Sequence, residues 1–136
     1  MNRFLIALGI ALLFSACRTT AVIQEDLSPA EIIQRANEAM DRNRYKIARQ
    51  YYRALQERNS GNIDLVITAQ YHIAFINYKR GNYNEAREGL NEVLAFYNSV
   101  DEVLLPQHFK RLAQIVLNSI EEKESKRRFS SKKSQA

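Results

Sequence analysis

Two six-residue segments of this chain match each other at a distance of 38 residues, and this internal repeat constrains the fold more than any other feature. Residues 43–48 read Asn-Arg-Tyr-Lys-Ile-Ala, and residues 81–86 read Gly-Asn-Tyr-Asn-Glu-Ala. Another alanine lies twelve residues before the last alanine of each segment, at Ala36 and at Ala74. A repeat of this length indicates one supersecondary unit used twice, so that stacking of the two copies buries a continuous core.

Apolar residues recur at helical spacing on both sides of each matching segment. The first helix has a strong start signal, because Ser28 can cap the first turn, Pro29 suits the first helical position and Glu31 complements the helix dipole. The pattern predicts five helices and no strand. These run from the Ser28 cap to about Arg42, from the 43–45 break to about Arg58, over 64–79, over 84–97, and from about Pro106 to Glu124, with a further capping box over 99–102.

The second hairpin resembles the tetratricopeptide repeat, in which small residues let two helices cross closely and a Gly-x-Tyr turn joins them. The residues at that family's spacing are Ile73, Ala74, Gly81, Tyr83, Ala86, Leu90, Val93 and Leu94. The first hairpin matches less well, since Asn43 replaces the turn glycine. The resemblance covers about residues 28–98. It implies an all-α superhelix of two tetratricopeptide-like hairpins, with the fifth helix as the capping helix of a domain that spans 28–124.

Arrays of this family usually bind a segment of another protein along the concave face that the first helix of each hairpin forms. The resemblance therefore implies that a partner contacts these residues: Ile33, Asn37, Met40, Asp41, Tyr71, Phe75, Tyr78 and Lys79. Lys110 and Gln114 would extend this set. An alternative stays open, in which Tyr71 and Phe75 pack against the fifth helix of so short an array.

The first seventeen residues have the pattern of an export signal. Arg3 precedes an apolar stretch over 4–14 that is too short for a comfortable membrane span, and small residues lead to Cys17, the only cysteine in the chain. Residues 14–17 resemble the bacterial lipobox, from which Phe14 departs. We therefore expect 1–16 to be a cleaved signal peptide, Cys17 to carry the lipid anchor, and 17–27 to form anchor and tether. The expected location is the bacterial cell envelope, on a membrane and facing the periplasm.

Positive charge is concentrated at the end of the chain. Residues 125–136 hold five basic residues and no acid, whereas 17–124 balances at a net charge of −1. With Phe129 as its only large apolar residue, this tail is predicted to be disordered. It acts either as a solubilising end or as a contact to anionic lipid headgroups. Export argues against nucleic acid as a partner.

Catalytic chemistry finds little support in the sequence. His72 and His108 lie on different predicted helices, where both are expected to be exposed, and neither has a cysteine or a metal-ligand cluster beside it. We predict a non-enzymatic protein without cofactor or metal, a lipid-anchored adaptor for another envelope protein in outer-membrane assembly, envelope maintenance or transporter service. The alternatives are a membrane-surface or envelope-polymer binder that acts through the basic tail, and a small-ligand pocket between helices three and five. Self-association that completes the short stack is left open.

Overall fold

The computed structural model describes residues 20–99 and 102–133, and these residues form an all-α fold. The predicted signal segment 1–16, Cys17 and the centre of the 99–102 capping box lie outside the described residues. The helices are α1 (Pro29–Asp41), α2 (Tyr45–Arg58), α3 (Ile63–Lys79), α4 (Tyr83–Ser99) and α5 (Gln107–Lys133), with a 3-10 helix at Glu102–Leu104 before α5. The predicted fold class and the number of α-helices are confirmed for this part of the chain.

Side chains fix the starts of α1 and α3. The Ser28 hydroxyl accepts a hydrogen bond from the Glu31 N–H at 3.4 Å, and the Ser28 N–H donates to the Glu31 carboxylate at 2.8 Å. The Ser28 hydroxyl also donates to the Glu31 carboxylate at 2.6 Å, and this bond, together with that from the Ser28 N–H, lowers the pKa of Glu31. At the start of α3, the side-chain oxygen of Asn62 accepts from the Leu65 N–H at 3.3 Å. Each cap satisfies an amide that the helix itself leaves unpaired.

The turns inside the two hairpins have the same backbone geometry. In the first turn, Asn43 has a φ of 55° and the N–H of Arg44 donates to the carbonyl of Ala39 at 2.8 Å. In the second turn, Gly81 has a φ of 81°, and the N–H of Asn82 donates to the carbonyl of Asn77 at 2.9 Å. Both helices thus end in a left-handed residue and a Schellman-type bond. The repeat seen in the sequence is therefore a repeat of structure.

Consecutive helices pack against each other, and α5 contacts both α3 and α4. One core cluster joins α1, α2 and α3, and the other joins α3, α4 and α5. Representative fully buried members are Ile32, Leu55 and Ile76 in the first cluster, and Leu90 and Ile120 in the second. Because α3 contributes to both clusters, it connects the two halves of the domain.

The backbones of α3 and α4 approach most closely at a glycine that the sequence patterns did not identify. A Cβ added to Gly89 would lie 2.9 Å from the Cβ of Ala74. Such a distance is well inside van der Waals contact, so the crossing needs a residue without a side chain. The predicted small residues Ala74 and Ala86 are buried beside it.

The segment before α1 is part of the domain, and the prediction of a tether up to Leu27 is wrong for its second half. The N–H of Ala21 donates to the side-chain oxygen of Gln50 at 2.8 Å, and the Arg58 guanidinium donates to the carbonyl of Gln24 at 2.9 Å. Leu27 is buried in the first core cluster, and Ile23 packs against it. Residues 21–27 therefore lie along the first hairpin, because these contacts pair part of their backbone and pack Ile23 and Leu27, whereas Val22 stays exposed.

The prediction of a disordered tail from Ser125 is also wrong for most of its length, since α5 continues to Lys133. No glycine or proline interrupts this stretch. Lys126 pairs with Glu122 at 2.6 Å, and Glu124 is paired with Arg87 of α4 at 2.8 Å and with Arg128 at 3.9 Å. Ion pairs at i,i+4 support a helix that little apolar burial stabilises. Residues 134–136 are not described.

Candidate functional site

The residues predicted to bind a partner occupy equivalent positions on α1 and α3. With the repeat of 38 residues, Asn37 corresponds to Phe75, and Asp41 corresponds to Lys79. Ile33 and Tyr71 form a third such pair, and Met40 and Tyr78 form a fourth. We call this set of eight residues the α1/α3 strip. Its members differ in what they contact, and only some of them can meet a partner.

Tyr71 belongs to the core. Only 4% of its surface is exposed, and its ring centroid lies 5.1 Å from that of Phe109 on α5. Burial raises the pKa of its phenol. The prediction that Tyr71 contacts a partner is therefore wrong, and the alternative in which it packs against the fifth helix is correct. At this level, the two rings fill the space between α3 and α5.

The next two aromatic residues of α3 are half-buried. The ring of Phe75 stacks on Tyr71 at 6.0 Å between centroids and lies 5.8 Å from the ring of Tyr78. The ammonium group of Lys123 on α5 lies 4.5 Å above the Tyr78 ring, a cation–π geometry that covers this tyrosine. Phe75 is therefore the aromatic member of the strip with the best access to a partner.

A buried tyrosine holds the side-chain amide of Asn37. Tyr52 of α2 is fully buried, and its hydroxyl donates to Asn37 Oδ1 at 2.5 Å. Desolvation raises the pKa of Tyr52, and the nearby Asp41 adds to this, so the hydroxyl keeps its proton and remains a donor. Asn37 itself is exposed. The bond fixes the amide with its two N–H donors available to a ligand.

His72 completes the buried layer beneath this amide. Its ring stacks on Tyr52 at 4.5 Å with an angle of 2° between planes, and it meets Phe109 edge to face at 6.0 Å. The prediction of an exposed His72 is wrong, whereas His108 is exposed. Burial, with a smaller effect from His108, lowers the pKa of His72 to about 4. The imidazole is therefore neutral at neutral pH, and the layer carries no charge.

The remaining strip residues form an apolar floor with polar edges. Met40 is half-buried beside the first core cluster, and Ile33 packs there too. Asp41 and Lys79 are exposed where α1 and α3 end. On α5, Gln114 is exposed, and the Lys110 ammonium lies 5.9 Å from the centroid of the Tyr97 ring. The strip can therefore offer apolar contact, a positioned amide and one charge of each sign.

The described residues offer two further findings about chemistry. Over 20–99 and 102–133, no group of three His, Cys, Asp or Glu side chains is placed to hold a metal ion. In the same ranges, no helix combines the length and apolar character that crossing a membrane requires.

The described residues define an all-α array of helical hairpins. No protein-family model matches the chain, and no solved structure matches it. Over 115 residues the chain is 28% identical to an uncharacterized protein of Treponema pallidum (strain Nichols). The alignment covers 83% of this chain and 46% of that protein, so the chain spans about half the length of its relative.

Proposed function

We propose that this protein is a lipid-anchored envelope adaptor that binds a short segment of another envelope protein along the α1/α3 strip. The lipid on Cys17 attaches the protein to the membrane. Partner specificity comes from Asn37, Met40 and Phe75, with the charged pair Asp41 and Lys79 at one end of the strip. It is a tetratricopeptide-like binding module without catalytic activity. Its tasks belong to outer-membrane assembly, envelope maintenance or transporter service.

The observation that carries this proposal is the Tyr52 hydrogen bond to Asn37. Ordering an exposed side chain on binding costs conformational entropy of about 0.5–1.5 kcal/mol. Because the hydrogen bond from Tyr52 already orders Asn37 in the free protein, binding a partner loses less entropy at this residue. A fixed amide and an accessible aromatic ring on one strip suit a peptide, whose backbone carbonyl can accept from the amide while an apolar side chain packs on the ring.

The size of the strip limits the partner segment to a few residues. It contains one accessible aromatic anchor, Phe75, and one positioned amide, Asn37, so the interface is at the small end of specific contacts. Attachment to a membrane compensates for this, because a tethered binder meets a partner in the same membrane at a high effective concentration. The proposal thus assigns a role to the predicted anchor.

Site-specific photocrosslinking in the cells' own membranes tests the strip. A photoreactive residue placed at Lys79, on the strip, should give a discrete adduct with one envelope protein. The same residue at Arg53, which is exposed on α2, serves as the control position. Adding Asn37→Ala and Phe75→Ala to the Lys79 probe should reduce the adduct at least tenfold, the effect of losing ~1.4 kcal/mol of binding energy.

Two results would contradict the proposal. Equal adducts from Lys79 and Arg53 would mean that capture does not depend on the strip. An adduct at Lys79 that survives the Asn37→Ala/Phe75→Ala change would place the contact elsewhere. Circular dichroism of the double variant must show an unchanged helix content, since Phe75 also touches the core.

A further inference from the structure

We infer that the edge of the domain formed by the two hairpin turns is a docking surface for the anionic headgroups of the membrane that holds the chain. We call this edge the turn edge. It consists of the ends of α1 and α3, the starts of α2 and α4, and the part of α5 that reaches them. The inference rests on the membrane anchor of the proposed function and concerns how the domain lies on that membrane. The turn edge and the α1/α3 strip meet at Asp41 and Lys79, the last residues of α1 and α3.

The course of the N-terminal segment gives the first argument. Leu27 precedes the start of α1, at the edge opposite the turns. Ala21, by contrast, lines a cavity of about 340 Å³ together with Arg42 and Arg44, which flank the first turn. The segment therefore runs antiparallel to α1, and its first described residues lie near the turn edge. An extended chain spans the four residues from Cys17 to Ala21 in at most about 14 Å.

The charge of the turn edge gives the second argument. A cavity of about 640 Å³ at this edge is lined by Arg44 and Lys46 from the first hairpin and by Arg80 from the second. Tyr45 and Ile47 supply its apolar wall. The two turns thus combine their basic residues in one concave surface. Phosphate oxygens are the ligands that grouped arginine and lysine side chains prefer.

The long helix α5 extends the same surface. Lys123 lies over the rings of Tyr78 and Tyr83, at the second turn, and the guanidinium of Arg127 lies 5.9 Å from the Tyr83 ring. Beyond Lys123 the helix continues for ten residues to Lys133, about 15 Å further at 1.5 Å per residue. This extension exposes Arg128 and also Phe129, which is 77% exposed. Interfacial helices that carry basic side chains beside an apolar residue such as phenylalanine bury that residue at the boundary of headgroups and acyl chains.

Acidic residues at the turn edge do not cancel its charge. At the two turns, exposed basic residues outnumber exposed acidic ones: Arg42, Arg44, Lys46, Lys79 and Arg80 against Glu38, Asp41 and Glu85. At the opposite edge, the exposed acidic residues Glu31, Glu57 and Asp64 outnumber the exposed arginines Arg58 and Arg111. The turn edge is therefore the more basic end of the domain, and it is the end near which Ala21 lies.

Depth-sensitive fluorescence of the full chain in vesicles tests this orientation. The chain contains no tryptophan, so a single introduced one reports its own position. Asn84→Trp places the reporter at the turn edge, and Ser60→Trp places it in the exposed turn at the opposite edge. Each variant is reconstituted into vesicles of neutral phosphatidylcholine, with or without phosphatidylglycerol, that contain a brominated lipid as quencher.

We expect quenching of the Asn84→Trp reporter in vesicles with phosphatidylglycerol and its loss in neutral vesicles, whereas the Ser60→Trp reporter stays unquenched in both. Adding Lys46→Gln/Arg80→Gln should lower the ratio of docked to undocked domain about 30-fold, from roughly 1 kcal/mol per basic residue at an anionic surface. The matched pair Arg53→Gln/Arg111→Gln removes the same charge away from the turn edge and should change this ratio little.

Three outcomes would overturn the inference. Equal quenching of the two reporters would show that the domain has no preferred orientation. Quenching of the Asn84→Trp reporter that ignores phosphatidylglycerol would show that headgroup charge is not recognised. Equal effects of the two charge pairs would show that total charge, and not the turn edge, matters. Since the reporters need no partner protein, failure of the adaptor proposal would leave this test unaffected.

Discussion

Replacement of Gly89 by alanine should destabilise the domain, although alanine is the better helix former. A methyl group there would lie 2.9 Å from the Cβ of Ala74, about 0.9 Å inside a favourable carbon–carbon distance of roughly 3.8 Å. Neither atom can rotate away, so α3 and α4 must separate. Overpacking of this kind costs about 2–3 kcal/mol, and the gain in helix propensity returns about 1 kcal/mol. The expected net loss is therefore ~1–2 kcal/mol.

Urea unfolding followed by circular dichroism at 222 nm measures this loss. Gly61→Ala is the control, because a Cβ at Gly61 meets nothing within 4 Å, and its effect should stay within about 0.5 kcal/mol. The double change Ala74→Gly/Gly89→Ala moves the methyl group to the other helix, and the two changes should couple favourably by about 1 kcal/mol or more. A Gly89→Ala variant more stable than wild type, or strictly additive single changes, would refute the close crossing.

Three further predictions concern separate parts of the chain. Asn43→Ala should lose about 1 kcal/mol of unfolding free energy in urea titration, since asparagine adopts a φ of 55° more readily than alanine does, whereas Asn43→Gly should stay close to wild type; equal losses would contradict the turn geometry. His72 has its pKa lowered from 6.5 to about 4, so the unfolded chain takes up a proton first as pH falls, and stability declines between these values by up to about 3 kcal/mol. His72→Gln should remove that part of the decline between pH 7 and pH 4.5, and an unchanged pH profile would refute the burial of the neutral ring. Cys17→Ser should abolish incorporation of radiolabelled palmitate in bacteria, and persistent labelling would disprove lipidation at Cys17.

Local chemistry made the helices and turns predictable. The cap at Ser28, the turn at Gly81 and the apolar spacing each act over a few residues, and the structure has helix boundaries close to those expected. Asn43 could be matched to Gly81 because asparagine is among the few residues that adopt left-handed backbone. These features needed no knowledge of the rest of the chain.

Long-range packing explains the errors. The residue equivalent to His72 in the first hairpin is Gln34, which is exposed, so the repeat gave no sign that His72 packs inside the domain. Phe109 lies on α5, outside the two repeated hairpins, and its ring packs against both His72 and Tyr71. The role of Tyr52 was likewise hidden, because its spacing indicated only an apolar position and not a hydroxyl directed at Asn37.

The misjudged ends of the domain have the same origin. Residues 21–27 show no helical or alternating pattern, yet Gln50 and Arg58, about 30 residues later, hold their backbone. The basic tail was judged by composition, which ignores the glutamates one turn earlier that pair with its lysine and arginine. Both signals depend on residues outside the segment in question.

The outer part of α5 makes the length of one helix depend on ionic strength. Residues 125–131 are all exposed, so their helical state depends on ion pairs such as Lys126–Glu122 and not on a buried face. Exposed pairs weaken as added salt shortens the Debye length from about 10 Å at 0.1 M to about 3 Å at 1 M. In concentrated salt, α5 should therefore unwind from its C-terminus toward Glu124 while the hairpins remain folded. The helical length of α5 would then decrease as the ionic strength increases.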